Sequence, residues 1–287
     1  MCRLTSRAKV RRAVRRGAIV RDARGRYALP DAVEALRAAS RLSGVASHDS
    51  AAAYYGWETK HRAKLPTVTV PRTRKVSPER RAGVRVRWAD LKPKEIVGGE
   101  LSPKVTAHGR TVMGCAATMP FDEALAIADS ALRHEDVTSR HLVQLAEAMP
   151  DKHRARCLRV VLAADGRAAN PFESVLRAIA LDVPGLDLVP QLSIYDGLDF
   201  LGRPDLVDEA RRIVLEADSF EFHGKRRALT RDCERYNAFT LRDWFVLRFA
   251  WEHVMYQPEY VAECLHLLVQ QRPVRHAVAA VARRIPA

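Results

Sequence analysis

The stretch RPDLVDEARRIVLEADSFEFHG, residues 203–224, decides how the C-terminal third of this chain is read. Its centre, IVLEAD, is a short apolar run and reads as a buried β-strand, yet it carries Glu216 and Asp218. Side chains two apart on a strand share a face, so these two acids project together while Ile213, Leu215 and Ala217 face the core. Burying an unpaired carboxylate is costly. Asp205 falls on what reads as the preceding strand, close enough for the two strands to pair and bring three carboxylates to one spot. Crowded like charges repel unless a cation neutralises them. Hard oxygen donors of this kind suit Mg²⁺ or Mn²⁺. Such an ion beside a basic surface activates water and steadies a phosphate. Spacing alone leaves a plainer alternative open, in which the acids sit at a strand end and pair with Arg203, Arg211 or Arg212.

Around this stretch the pattern is mixed. PFESVLRAIAL reads as a helix with Pro171 in its first turn. LVPQLSIY reads as a strand, YDGLDF as a tight turn and LGRPDLVDE as a return strand. KRRALTRDCERYNAFTL reads as a helix, DWFVLRFAW as another strand with Trp244, Phe245, Phe249 and Trp251 in the core, and EYVAECLHLLVQQ as a helical tail. That order predicts an α/β (α+β) class, with a mixed sheet flanked by helices. The small-residue stretch ADGRAANP, ended by Pro171, reads as a linker. The sequence therefore divides into a winged-helix-like region with a small β segment over 1–110, a helical connector over 111–168 and a sheet domain over 169–287.

The opening is basic. Residues 1–30 hold ten Lys and Arg against a single acid, Asp22. SRAKVRRAVRRG predicts a helix with Ser6 as N-cap, Val10 and Val14 on its apolar face and Gly17 as its stop. AIVRDARGRYALP predicts a hairpin through Ile19–Arg21 and Tyr27–Leu29 with its turn at Asp22–Gly25. A basic helix followed at once by a basic hairpin is the order of a recognition helix and a wing. Arg7, Arg11, Arg12, Arg15, Arg16, Arg24 and Arg26 are its candidate phosphate contacts. Downstream, DAVEALRAASRLSG reads as a helix and Ser47 as the cap of another, with Tyr54, Tyr55 and Trp57 facing a core. LPTVTVPRTRK and GVRVRWADL read as strands, and the excess of basic residues from Lys60 to Lys94 extends a phosphate-contacting surface.

The chain has 287 residues, 47% of them hydrophobic, which describes a globular protein with a sizeable core. Its net charge is +14, and clustered charge of that sign points to nucleic acid. The five cysteines are scattered without a C-x-x-C pair, which fits reduced thiols in a cytoplasmic protein. No apolar run spans a bilayer and no apolar segment follows the basic start, so neither a membrane partner nor a signal peptide is expected. Phosphate-loop, dinucleotide, H-E-x-x-H and G-x-S-x-G motifs are absent. His48, His61, His108 and His134 read as surface or core residues.

Residues 171–255 resemble the very-short-patch-repair-like branch of the PD-(D/E)xK endonucleases. FES with Glu173 resembles its opening helix acid, Pro204-Asp205 its PD element and IVLEAD its central strand. SFEFHG places His223 where the branch commonly has a histidine, RDCERYNAF resembles its basic helix, and WFVLRFAWEHV its last strand. The resemblance implies that Asp205 and Glu216 bind Mg²⁺, with Asp218 at the position of the family's lysine. It implies that Glu173 orients a ligand or acts through water, and that His223 is a general base or phosphate contact. Lys225 or His223 would stand in for the lysine, while Arg231 and Arg235 contact the DNA backbone.

The N-terminal half, through VRRAVRRGAIVRDARGRYALP, SHDSAAAYYGW, VTVPR and ALAIADSALR, resembles the helix-turn-helix region of AbiEi-type antitoxins. Few residues precede the basic helix where such proteins have further helices, which leaves two alternatives, a misplaced start or a shortened winged module. Together these features predict a cytoplasmic, Mg²⁺-dependent DNA endonuclease or nicking enzyme. Asp205, Glu216 and Asp218 are its expected metal ligands, and these three with His223 and Glu173 its expected catalytic set. The alternative is a non-cleaving DNA-binding regulator, the antitoxin partner of a cognate toxin, with a homodimer possible under either.

Overall fold

In a computed structural model, which describes residues 6–23, 26–28, 33–99, 102–218 and 226–274, IVLEAD is the strand Ile213–Asp218. It pairs antiparallel with Leu206–Asp208, placing Leu206 opposite Leu215. On its other side it pairs parallel with Phe245–Ala250, placing Glu216 opposite Arg248. Val189–Pro190 adds the fourth strand, beyond Leu206–Asp208. Both faces of the central strand are covered, which is why its apolar residues run on without alternation. Ile213 and Leu215 pack with Phe172 and Leu176 of the helix Pro171–Ala180 and Leu265 of the helix Pro258–Gln271. Val214 faces the other way, onto Phe239 of the helix Arg226–Leu241. Truncating a fully buried leucine such as Leu215 to alanine costs about 2–5 kcal/mol in sites of this kind.

The chain is mixed α/β, with helices against mixed sheets. It divides into two compact units, 1–166 and 167–287. Two expectations for the second unit need correcting. The return strand LGRPDLVDE is broken. Its first part, Asp199–Gly202, pairs with Ile194–Asp196 in a separate hairpin, and the sheet resumes only at Leu206. Pro204 has no backbone N–H to give a ladder, which suits a break there. Trp251 leaves the strand to begin the short helix Trp251–Tyr256 and is exposed, whereas Phe249 is buried as expected.

In the first unit the basic helix is Arg7–Arg15, capped by Ser6 Oγ, which accepts the Lys9 amide, and followed by Gly17 at φ +69°. The hairpin pairs Val20–Ala23 with Arg26–Ala28. Asp22 lies in its first strand, not in the turn. Its buried carboxylate accepts two hydrogen bonds from Arg37, at 2.8 and 3.1 Å, and so ties the hairpin to the helix Glu34–Leu42. A five-stranded sheet runs in the order Arg85–Trp88, Thr67–Val70, Val45–Ala46, Val105–Thr106, Ile96–Val97. Ser47 precedes the helix His48–Tyr54 but makes no capping hydrogen bond; its Oγ instead joins Thr69 Oγ1 and His48 Nδ1. Trp57 is buried and Tyr55 packs beside it, but Tyr54, the last residue of the helix, is exposed, with its ring edge-on to Tyr55 at 5.3 Å. The helices Phe121–Arg133, Ser139–Glu147 and Asp151–Ala163 pack with His108–Thr118 in a second core of the same unit. Among the described residues no helix is long and apolar enough to cross a membrane.

Candidate functional site

The second unit gathers three acids from segments far apart in sequence. Glu173 stands in the first turn of the helix Pro171–Ala180, Asp205 just ahead of Leu206–Asp208, and Glu216 near the end of the central strand. Glu173 and Glu216 are only 3% and 4% exposed. Antiparallel pairing carries Asp205 to the level of Glu216. The Asp205 amide donates to Glu216 Oε2 at 3.4 Å, and the Ala217 amide donates to Asp205 Oδ2 at 2.8 Å. Glu173 is held by the Ala169 amide and by Asn170 Nδ2, both at 2.8 Å, while Asn170 Oδ1 accepts the Glu173 amide as the helix cap.

Gln191 links the acids and was not singled out by the sequence. Its Nε2 donates to Glu173 Oε2 at 3.1 Å and to Asp205 Oδ1 at 3.2 Å, and its backbone amide donates to Asp205 O at 3.0 Å. Its backbone has φ 55°, a left-handed conformation unusual for a residue with a Cβ. The only sequence signal was a polar residue inside an apolar strand-like run, LVPQLSIY.

Burial without full compensation shows in the acidity of the cluster. Desolvation first, and the charge of Asp205 second, push the Glu216 carboxyl up to about 8 and Glu173 up to about 7. Burial raises Asp205 as well, opposed by its bonds to Ala217, Glu216 and Gln191 and by the Arg235 charge. Arg235 NH2 lies 3.3 Å from Glu216 Oε1 and 3.6 Å from Asp232, and donates to the Tyr236 hydroxyl at 3.0 Å. Burial, with Glu216 next, lifts the Tyr236 phenol to about 12, so it stays protonated at neutrality. Glu216 Oε1 accepts no hydrogen bond of good geometry.

The expected three-ligand cage of Asp205, Glu216 and Asp218 does not form. Among the described residues no group of three or more His, Cys, Asp or Glu is arranged to hold a metal ion. The physical reason lies with Asp218: Arg248, on the adjoining strand, donates to its Oδ2 at 2.5 Å and draws it away. Arg248 also stacks over the Tyr236 ring at 4.4 Å. Of the alternative partners, Arg211 pairs with the buried Asp208 and Arg212 donates to Arg242 O, so neither engages the site, and Arg203 is exposed. Arg231 is exposed on the helix Arg226–Leu241, while Arg235 on the same helix turns to Glu216. His223 and Lys225 lie outside the described residues.

In the first unit Arg11, Arg12, Arg15 and Arg16 are exposed along the basic helix. Arg26 is half-buried and donates to Ser43 Oγ at 2.7 Å, which gives it a structural task instead of a free surface position. Arg24 and the side chain of Arg7 lie outside the described residues. His48 is buried, and burial with the nearby charge of Arg87 lowers it to about 3, so it stays neutral.

Compared with known proteins, the chain matches no family model and no curated protein sequence.

Proposed function

We propose that the second unit is a Mg²⁺- or Mn²⁺-dependent DNA endonuclease or nicking domain, served by DNA-binding side chains on the first. One observation carries this reading: buried Glu173 and Glu216 and half-buried Asp205 come together from three separate segments, Gln191 bonding Glu173 to Asp205 and the Asp205 amide bonding Glu216. Carboxyls whose protons are held to near neutrality by burial and by a neighbouring acid are concentrated at functional sites. Two carboxylates fit the ion, because Mg²⁺ is usually held by one or two of them, with waters and substrate phosphate oxygens completing its shell. Asp205 and Glu216 would hold it, and Glu216 Oε1 is a buried acceptor without a hydrogen bond. The bound ion would supply polarisation of a phosphoryl oxygen and a more acidic water. Glu173, lifted to about 7, suits uptake of a proton near neutrality. Arg235 and the exposed Arg231 offer charge to phosphate, and His223 and Lys225 are the sequence candidates for the task of the family's lysine. The basic helix, through Arg11, Arg12, Arg15 and Arg16, meets the DNA backbone. A cytoplasmic setting belongs to the same reading. The test is nicking of supercoiled plasmid with Mg²⁺ or Mn²⁺ by wild type and by Glu216→Gln. Cleavage by the wild type alone supports the proposal, and no cleavage by the wild type, or equal cleavage by both, rejects it.

A second reading is favoured by the arginines. Each acid of the central strand has one as a partner, Arg235 for Glu216 and Arg248 for Asp218. A nuclease-like domain neutralised in this way suits a DNA-binding regulator, the antitoxin partner of a cognate toxin and a possible homodimer. Sequence-specific DNA binding without cleavage, and without a calorimetric Mg²⁺ signal, selects it.

A further inference from the structure

The first unit carries a second basic face, well separated in sequence from the helix Arg7–Arg15. Residues 60–94 hold twelve Lys and Arg against Glu79 and Asp90 alone. Strands Thr67–Val70 and Arg85–Trp88 are parallel, with Val70 opposite Trp88, so their C-terminal ends lie together. The first runs out into Arg72, Arg74 and Lys75, and the second into Lys92; all four are exposed. The exits are stitched to one another: Arg72 N donates to Asp90 Oδ1 at 3.1 Å and Ala89 N to Val70 O at 3.0 Å.

Among these charges stands Trp88, 43% exposed on the outermost strand of the sheet. Its indole Nε1 donates to Arg74 O at 3.0 Å, which satisfies its polar atom and fixes the ring. Among the described residues the ring stacks on no other aromatic ring and under no guanidinium. Lysines and arginines alone are enough to keep an edge strand from pairing with another chain. They do not account for a large aromatic ring left in water and pinned in one orientation.

We propose that this strand end binds single-stranded or locally unpaired nucleic acid, with one base stacked on Trp88 and its phosphates held by Arg72, Lys75 and Lys92. Every base has a π-face, so stacking on a fixed indole tolerates any sequence, while the cations follow the backbone. Duplex bases are stacked on each other and offer no free face. An acidic protein meets the charges but gains nothing from the planar ring. The site rests on neither the acid cluster nor the nuclease reading.

Tryptophan fluorescence of the full chain, with anisotropy of dye-labelled probes to read affinity also in variants that lack the indole, tests this with three probes: an oligothymidylate of about 12 nucleotides, an abasic deoxyribose-phosphate strand of the same length, and polyglutamate. The oligothymidylate is expected to quench the emission and bind about tenfold or more tightly than the abasic strand. Trp88→Ala and Trp88→Leu lose that advantage, whereas Trp88→Phe keeps most of it. Lys75→Glu lowers the salt slope by about 0.7 for the phosphate released. Far-ultraviolet circular dichroism confirms that each variant is folded, and Trp88→Leu keeps the apolar bulk should alanine unfold the strand. Equal affinity for abasic and base-bearing strands, equal quenching by polyglutamate, or folded Trp88→Leu binding like wild type would overturn the proposal.

Discussion

Asp205 and Glu216 are tied together across two antiparallel strand ends, the amide of one donating to the carboxylate of the other at 3.4 Å. The bond fixes two acids in a site where burial holds both above the usual carboxylate range, the charge of Asp205 adding to the rise at Glu216.

That arrangement sets the pH dependence of stability. Glu216 and Glu173 keep their protons in the folded chain to about 8 and about 7, but lose them near the ordinary carboxylate range when unfolded. Between those limits the folded state binds more protons, so stability falls as pH rises. The contribution is complete below about pH 4 and gone above about pH 8. Denaturant midpoints across this range are expected to show the fall, and Glu216→Gln to flatten it while raising the midpoint at about pH 8. A wild-type profile that stays level through the window speaks against the charged cluster.

Under the proposed nuclease reading, Mg²⁺ would compete with those protons. The melting temperature is therefore expected to rise with millimolar Mg²⁺ at about pH 8 and less at about pH 6. Asp205→Ala removes the rise. Asp218→Ala changes Mg²⁺ affinity by no more than about threefold, because Asp218 serves Arg248 in a half-exposed pair of modest worth. Calorimetric titration of both variants separates the two acids, and an equal weakening in both would restore Asp218 to the ligand set.

Gln191 sits at φ 55°, a conformation that glycine adopts freely. Gln191→Gly relieves that strain but deletes the donor shared by Glu173 and Asp205. The expected result is a melting temperature equal to or above wild type together with nicking reduced about tenfold or more. Gln191→Ala keeps the strain and loses the donor, so it is expected to be both less stable and less active. Thermal melts paired with plasmid nicking on the two variants check the split.

The hairpin of the first unit is tied to the next helix by a partly buried ion pair, Asp22 with Arg37. Asp22→Ala leaves Arg37 without its two hydrogen bonds and is expected to cost about 1–3 kcal/mol, read from urea denaturation. Replacing Arg11, Arg12, Arg15 and Arg16 by alanine is expected to leave stability near wild type. It should lower the slope of duplex affinity against salt by about 0.9 for every phosphate that is no longer neutralised.

Much of this was legible because it depends on local pattern. IVLEAD reads as a strand from its apolar run, and the basic helix from Ser6, Val10 and Gly17. What escaped reading depended on partners distant in the chain. Asp218 looked equivalent to Glu216 by two-residue spacing, yet the parallel register brings Arg248 from thirty residues away to claim it. Gln191 looked like any polar residue in a strand, since neither its left-handed backbone nor its two acid partners leave a mark on the residues beside it. Asp22 looked like a turn residue until Arg37 gave it a buried partner.

Gln191 and Asp205, bonded through both backbone and side chain, pinch shut the base of the excursion that contains the hairpin Ile194–Asp196 and Asp199–Gly202. The tip of that excursion turns at Gly197 and ends in Leu198, which is 99% exposed. Ile194 at the root of the excursion is buried with Val214 and Phe239, and Asp196 accepts a hydrogen bond from Arg242, so only the tip at Gly197 and Leu198 is an interchangeable cartridge. A lineage can lengthen, shorten or rewrite the tip by drift, and an engineer can graft a peptide there, while the geometry beneath the clasp is inherited unchanged.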